Sequence, residues 1–389
     1  METRTQESAS ATSAAKGIDV GKLEKELAAM WKPAEGEAGG SAAGQEAGIT
    51  RVCVLNLVVY AAQQEDRAEI DALLDEVTEQ TPSRALILVA DREAADAKLE
   101  AYVSTRCQMS GRGTKQVCGE QVTIEASGAT LQSVASAIEP LLVPDVPVFL
   151  WWKDIPHYED QLFNRLTEMS DRVVIDSAAF DHPQADLLRL GEILRDRPQF
   201  MMVSDLNWGR LTSWRSLMAS FWDVADYRPH LERIDNIVVE YDPPDSALEE
   251  IAPQALLMVG WLVSRLGWQV GQSLARGGDK SSAGQLTAGG RTIEVEFRAR
   301  DDREGSDGMI AAITLTSSEG DAEFHVEVNQ EWTKLETSAR LGETRQVERV
   351  VSYEQKTEGE RLSRELSLTM RDRIYESTVL AAAQLLGAA

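Results

Sequence analysis

The chain is poor in the residues that build metal centres and disulfide scaffolds. Its 389 residues include three cysteines and four histidines. It has no Cys-x-x-Cys motif, and the histidines are scattered without the spacing of metal ligands, so we expect no metal site. An odd number of cysteines in a chain of this length also disfavours a secreted disulfide scaffold, and we expect a cytoplasmic protein.

Positive charge is also scarce. The chain has 39 lysine and arginine residues against 64 aspartate and glutamate residues, a formal net charge of −25. A general nucleic-acid binder needs cations that displace counterions, and an anionic membrane surface attracts the same kind of residue. No apolar run approaches the ~18 residues that span a bilayer. We therefore expect neither a nucleic-acid partner nor a membrane.

Motifs for cofactor binding and nucleophilic catalysis are absent too. The segment after the first predicted strand, YAAQQED at 60–66, contains no glycine, so a pyrophosphate could not approach its backbone as in a dinucleotide fold. There is no P-loop and no G-x-S-x-G elbow. These absences predict no cofactor and no catalytic residues.

The remaining patterns predict three segments. Residues 1–48 form a flexible tail with a short amphipathic helix, which either packs on its own domain or docks on a partner. Residues 49–230 alternate buried strands with helices, which is typical of a mainly parallel, doubly wound α/β domain. Within it, strands at 99–107 and 116–126 predict an antiparallel hairpin.

Residues 231–389 have a different texture. The alternation in TIEVEFR, 292–298, predicts an antiparallel sheet with one solvated face. Residues 275–290 are expected to form a glycine- and serine-rich loop, and residues 361–386 one long C-terminal helix that covers the sheet. The prediction is thus an α+β domain that follows the α/β domain at a boundary near residue 230.

The stretch from Phe200 to Asp223 is rich in tryptophan and reads as a strand, a polar loop and an amphipathic helix. We expect the helix to start near Thr212 and Trp208 to be exposed. Polar residues also follow three predicted strands, and in open parallel sheets ligands bind beyond such strand ends. These residues are Lys153, Asp154, Asp176, Ser177, Asp205, Asn207 and Arg210.

Two interpretations of these polar strand ends stay open. They form a phosphosugar or metal site, which gives the alternative function of an enzyme acting on a phosphorylated sugar or lactone. Otherwise they start turns and cap helices, as Asp, Asn and Ser commonly do. The lack of a histidine or nucleophile beside them argues against chemistry.

Cys107 and Cys118 flank the turn of the predicted hairpin. If the hairpin is symmetric, they lie opposite one another within disulfide distance and form a redox pair. The alternative is two unrelated thiols, since a slip of one residue in register would put them on opposite faces.

Several blocks of the sequence resemble the OpcA family of glucose-6-phosphate dehydrogenase assembly proteins. They are VPVFLWWKDIP at 146–156, DRVVIDSAAF at 171–180, DLNWGRLTSWRSLMASFWD at 205–223 and QVCGEQVTI at 116–124. The resemblance implies a non-catalytic effector that binds glucose-6-phosphate dehydrogenase and promotes its assembly or allosteric activation in the oxidative pentose phosphate pathway.

The resemblance also implies that thioredoxin-linked cysteine chemistry modulates the effect, with Cys107 and Cys118 as the redox candidates. The candidates for contact with the partner are Asn207, Trp208, Arg210 and Trp214.

Overall fold

The structure, a computed structural model, describes residues 18–31, 49–51, 53–62, 67–109, 116–157, 159–196, 202–278, 280–300, 307–368 and 370–388. These residues form two compact units. The first draws on 1–175, 199–203 and 357–370, and the second on 176–198, 204–356 and 371–389. The division differs from the boundary expected near residue 230, because segments distant in sequence return to each unit.

In the described residues the first sheet has eight strands. Every strand pair with a defined register is parallel, except for one antiparallel hairpin. The strands are β1 (Ile49–Arg51), β2 (Leu55–Ala62), β3 (Ser83–Asp91), β4 (Lys98–Met109), β5 (Gln116–Ser127), β6 (Val148–Trp152), β7 (Arg172–Ile175) and β8 (Val203–Asp205). Their order is β1-β5-β3-β2-β6-β7-β8, with β4 antiparallel to β5. This confirms the prediction of a mainly parallel α/β sheet with an antiparallel hairpin.

Helix α1 (Val20–Met30) precedes the sheet. Helices α2 (Arg67–Gln80), α3 (Val134–Ile138), α4 (Gln161–Glu168) and α5 (Pro183–Asp196) lie between its strands, as connections between parallel strands require. Helices α6 (Leu206–Arg210), α7 (Thr212–Ser220) and α8 (Arg228–Leu231) follow β8. Helix α3 ends just before a proline. Pro140 lacks the backbone N–H that would continue it, and a 3-10 turn, Glu139–Leu141, follows instead.

The second sheet also has eight strands. They are β9 (Asn236–Tyr241), β10 (Gln269–Arg276), β11 (Ser281–Ala288), β12 (Arg291–Ala299), β13 (Ile310–Ser317), β14 (Ala322–Val328), β15 (Lys334–Leu341) and β16 (Thr344–Ser352), in the order β10-β11-β12-β9-β13-β14-β15-β16. The predicted loop at 275–290 is wrong, because β10 and β11 pair as a hairpin there. Their glycine, serine and glutamine residues give almost no apolar pattern, so the sequence carries no strand signal at this place.

The described residues after β9 also form the helices α9 (Pro253–Leu266), α10 (Glu358–Leu366) and α11 (Arg373–Leu385). The prediction of a single helix over 361–386 is therefore wrong. The carboxylate of Asp372 accepts a hydrogen bond from the Tyr375 N–H at 2.9 Å, and this N-cap starts α11 as a separate helix. Helix α11 packs against α9 and α5, and α10 packs against α2.

Candidate functional site

The strand order of the first sheet defines where a ligand would be expected. Leaving out the hairpin strand β4 and the short β1, the strand order is β5-β3-β2-β6-β7-β8. Successive strands are added toward one edge of the sheet up to β5 and toward the other edge from β6 onward, so the order reverses between β2 and β6. This is the strand order of dinucleotide-binding folds, in which the ligand lies beyond the carboxyl ends of the two strands at the reversal. The carboxyl ends of β2 and β6 are therefore the first candidate site.

Aromatic side chains of the chain itself occupy the last part of both strands. Tyr60 of β2 lies directly opposite Trp152 of β6, and their rings stack at 3.8 Å with an interplanar angle of 14°. Phe163 of α4 meets the Trp152 ring edge-on at 5.0 Å. All three side chains are buried.

Arg92, which follows β3, is held against this stack. Its Nε donates to the Tyr60 hydroxyl and its Nη2 to Asp160, both at 2.5 Å. Asp160 also accepts the Leu162 N–H at 2.8 Å and so caps the N-terminus of α4. Burial raises the pKa of Tyr60, although the hydrogen bond from Arg92 opposes the shift. Arg92 and the N-terminus of α4 are thus both engaged by the chain's own groups.

Lys153, directly after β6, is engaged in a similar way. Its ammonium lies 4.6 Å from the centre of the Trp151 ring and 3.7 Å from a carboxylate oxygen of Glu358.

The second candidate site is a buried polar cluster in the second unit. Asp205 accepts hydrogen bonds from the backbone N–H groups of Ser177 and Asn207 at 3.0 and 2.9 Å. It also accepts from the Ser177 hydroxyl at 2.7 Å and from the Tyr375 hydroxyl at 3.1 Å. Both oxygens of Asp205 are therefore engaged. Burial, followed by repulsion from Asp176, raises the pKa of Asp205 to about 6.

The cluster extends through amide groups into the core. The Asn207 side-chain oxygen accepts from Gln254 at 2.9 Å, and the Gln254 oxygen accepts from the Ile310 N–H at 3.2 Å. Arg210 forms a bidentate pair with Asp176, with N–O distances of 2.6 and 2.7 Å. These polar groups satisfy one another, which is the arrangement of a structural network.

The structure therefore brings Asp176, Ser177, Asp205, Asn207 and Arg210 together, as expected for polar residues at neighbouring strand ends. Lys153 and Asp154 belong to the first unit and are not part of this cluster. Asp205 is the N-cap of α6, so the expected polar loop before Thr212 is in fact a helix. The interpretation of these residues as caps has direct support in this geometry.

Trp208 corrects another expectation, because its side chain is 5% exposed and not turned to solvent. Its indole N–H donates to Asp372 at 3.0 Å, and the Arg215 guanidinium lies 3.2 Å from the ring centre. Trp214 and Asn207 are fully buried. In this conformation these three residues pack in the interior of the unit and offer little surface for direct contact with a partner.

The hairpin cysteines form the third candidate site. Cys107 and Cys118 are direct cross-strand partners in β4 and β5, and their sulfurs are joined in a disulfide. Burial raises the pKa of the remaining thiol, Cys53. Alternate residues of a strand share a face, so Cys118 lies on the same face of the sheet as Glu120.

Helix α1 packs on this face. Its Leu23 and Leu27 are buried, and Trp31, directly after the helix, donates its indole N–H to Glu120 at 2.8 Å. Arg84 of β3 bonds to Glu120 and, at 2.7 Å, to Glu24 of α1. The N-terminal helix thus packs on its own unit, next to the strands that carry the disulfide.

Several of these contacts have no signal in the sequence. Tyr375 and Asp372 reach the strand-end cluster across more than 160 residues of chain, where they meet Asp205 and Trp208. Tyr60 and Trp152 have the pattern of ordinary strand residues. Only the fold brings such pairs together.

Within the described ranges, His, Cys, Asp and Glu side chains form no group of three that could hold a metal ion. Among the same residues, no helix combines the length and apolar character needed to cross a bilayer.

The fold and these sites define a two-unit α/β protein with a dinucleotide-type strand order, in which the chain's own aromatic side chains occupy the strand ends at the reversal. Two family models match the chain. One, described as the glucose-6-phosphate dehydrogenase subunit N-terminal domain, matches residues 74–192, and the other, the corresponding C-terminal domain, matches residues 201–379. The chain belongs to the OpcA family of glucose-6-phosphate dehydrogenase assembly proteins.

Curated relatives agree with this assignment. A protein of Synechococcus elongatus, provisionally named OxPP cycle protein OpcA, is 29% identical over 78% of this chain and 67% of its own length. The Nostoc punctiforme protein of the same name is 35% identical over 51% of this chain. That match spans 40% of the Nostoc protein, well under two thirds of its length.

Solved structures show a weaker likeness. An NAD-binding oxidoreductase from Klebsiella pneumoniae is 10% identical, with a TM-score of 0.48 over 85% of this chain and 94% of its own. A myo-inositol dehydrogenase from Lactobacillus casei gives 9% and 0.43 over 86% of this chain and 93% of its own. A likeness of this size supports no conclusion about the activity of the chain.

Proposed function

We propose that this protein binds glucose-6-phosphate dehydrogenase and promotes its assembly or allosteric activation in the oxidative pentose phosphate pathway, without catalysing a reaction itself. Family membership supports the association with the dehydrogenase. The observation that carries the non-catalytic part is the crevice of the first sheet, where Tyr60, Trp152 and Arg92 engage one another at the expected nucleotide position.

The experiment mixes the purified chain with purified glucose-6-phosphate dehydrogenase from the same organism. Co-elution in gel filtration is expected, together with a change in the oligomer distribution or substrate affinity of the dehydrogenase. An effector can shift such an equilibrium only by binding one state better than another. The chain alone is expected to show no NAD or NADP binding by calorimetry, and clear binding would contradict the non-catalytic part.

The alternative, an enzyme acting on a phosphorylated sugar or lactone, has less support. Asp205 has both oxygens engaged by donors from the chain, and Arg210 is paired with Asp176. The groups that would bind a phosphate or move a proton are therefore already used. Turnover of pentose-phosphate metabolites that is lost in both Asp176→Ala and Asp205→Ala, with the fold retained, would favour this alternative.

We further propose that the Cys107–Cys118 disulfide controls the effect. A dithiol such as thioredoxin would convert the protein disulfide into two thiols and become a disulfide itself, so electrons and protons balance. The disulfide lies in the strands beside α1, and its reduction removes the covalent bond between the Cys107 and Cys118 side chains.

The redox proposal predicts that thiol counting finds one free thiol before reduction and three after it. The activation of the dehydrogenase should differ between the two states. A Cys107→Ser/Cys118→Ser variant should be fixed in one activation level whatever the reductant, with Cys53→Ser as the matched control. Equal activation by oxidised and reduced protein would contradict redox control and leave the association untouched.

A further inference from the structure

The second sheet has one face that the rest of its unit covers and one that it does not. On the covered face, strand β12 alone contributes Ile293, Val295 and Phe297, all buried. Its alternate residues point the other way, because successive side chains in a strand occupy opposite faces. We call this second surface the open face. Its residues on β9 and β12–β15 are Thr292, Glu294, Glu296, Arg298, Asn236, Val238, Glu240, Ala312, Thr314, Thr316, Glu323, His325, Glu327, Lys334, Glu336, Ser338 and Arg340.

One row across the open face follows directly from the strand register. Arg298 of β12 pairs with Glu240 of β9, and Glu240 pairs with Ala312 of β13. Ala312 pairs with Glu327, and Glu327 with Glu336 of β15. Such partners stand side by side on one face. The row ends at Val350 of β16, a 51% exposed apolar side chain opposite Glu336.

The open face is large enough for a protein interface. Five strands at ~4.8 Å spacing and about seven residues at ~3.4 Å rise give an area of roughly 600 Å² before side-chain relief. A standard interface buries about 800 Å² on each partner. Small uncharged residues line the central strand β13 on this face: Ala312, Thr314 and Thr316. The charged residues begin on the neighbouring strands, where Glu240 and Glu327 stand beside Ala312. Protein interfaces likewise have a core that is less charged than the rim.

The charges of the face identify the kind of partner. Its arginines are occupied: Arg298 bonds to Glu296 at 2.6 Å and Arg340 to Asp321 at 2.8 Å. Glu327 and Glu336, by contrast, face each other directly, and like charges in that position destabilise a sheet.

The contacts of these two glutamates leave their repulsion largely unrelieved. The ring nitrogen of His325 lies 3.6 Å from Glu327 and is a cation only when protonated. Among the described side chains, no lysine or arginine forms an ion pair with Glu327 or Glu336. A lysine or arginine from outside the chain would relieve this repulsion.

We propose that the open face is the docking surface for the protein partner, and that the partner presents lysine or arginine side chains to the Glu327–Glu336 pair. The inference rests on the proposed function for the identity of that partner, glucose-6-phosphate dehydrogenase. A second copy of the chain fits less well, because it would bring the same glutamates and the same occupied arginines to the interface, with Lys334 as the one further cation among these residues.

The test measures the affinity of the chain for purified glucose-6-phosphate dehydrogenase from the same organism by surface plasmon resonance. The variant is Glu327→Lys/Glu336→Lys. The matched control is Glu69→Lys/Glu79→Lys, which makes the same change in net charge at exposed positions of α2. We expect the open-face variant to bind ~100-fold more weakly, because like charges across an interface are strongly unfavourable. The control should stay within about threefold of the wild type.

Circular dichroism establishes that each variant is folded. If the double lysine variant is not, Glu327→Gln/Glu336→Gln replaces it, with an expected loss of about tenfold. If the open-face variant binds the dehydrogenase as tightly as the wild type does, this inference is overturned and the proposed function stands. Absence of binding by the wild type would overturn the proposed function itself. A wild-type dimer in light scattering that the open-face variant dissociates would identify a second copy as the occupant and overturn the basic partner.

Discussion

Replacing Arg84 with methionine should destabilise the first unit far more than any other single change around α1. Arg84 donates two hydrogen bonds to one oxygen of Glu120, at 2.8 and 2.6 Å, and one to the Leu141 carbonyl at 2.8 Å. The two side chains are 5% and 3% exposed. Without the guanidinium, the buried Glu120 carboxylate loses its partner Arg84, and breaking such a pair costs about 3–5 kcal/mol.

The control is Glu24→Gln, which removes the other carboxylate bonded to Arg84. The Glu24 side chain is 41% exposed, so the solvent screens this pair and we expect a loss of about 0.2–1 kcal/mol. A double variant, Arg84→Met/Glu120→Leu, should recover part of the loss of Arg84→Met alone, because it leaves no unpaired buried charge.

Urea unfolding followed by tryptophan fluorescence and far-UV circular dichroism gives these free energies, fitted to the transition that Arg84→Met shifts. The order Arg84→Met, then the double variant, then Glu24→Gln is the expected result. If Arg84→Met costs no more than Glu24→Gln, the Arg84–Glu120 pair is not the buried anchor that the geometry indicates.

Two further predictions concern the second unit. Gly260→Ala should destabilise it by about 1–3 kcal/mol, because a Cβ there would lie 2.5 Å from the Thr378 carbonyl oxygen of α11. This clash outweighs the gain of about 1 kcal/mol in helix propensity. Thermal unfolding tests the prediction, with Gly278→Ala, where the space is open, as the control. Asp205→Asn should remove a pH dependence of stability. The pKa of Asp205 rises from 3.8 to about 6 on folding, so the protonated carboxyl stabilises the folded state fully below pH ~4. This contribution falls by about 3 kcal/mol as the pH rises through ~6. Urea midpoints of the wild type and the variant, at pH ~4 and above pH ~6, measure the difference.

Local patterns are sufficient for most of the first sheet. VFLWW at 148–152 and RALILVA at 84–90 are apolar runs bounded by turn residues, and both are buried parallel strands. The same reasoning fails for β10 and β11, whose small polar side chains carry no periodic signal. It also fails for the C-terminal helix, where the cap at Asp372 decides the break and not the apolar pattern around it.

The candidate sites show the same limit. Spacing suggests that Cys107 and Cys118 face each other, because a hairpin relates residues close in sequence. Burial of Trp208 depends instead on Asp372 and Arg215, and that of Asp205 on Tyr375. Such long-range partners are fixed by packing, which a single sequence does not reveal.

The most direct test of the central claim is a thermodynamic cycle between the chain, glucose-6-phosphate dehydrogenase and glucose 6-phosphate. Calorimetry measures the affinity of the dehydrogenase for its substrate with and without the chain, and for the chain with and without the substrate. An allosteric effector must change both affinities by the same factor, and we expect a factor of about 5–150. Binding of the chain with a factor of one, or no binding at all, would contradict allosteric activation.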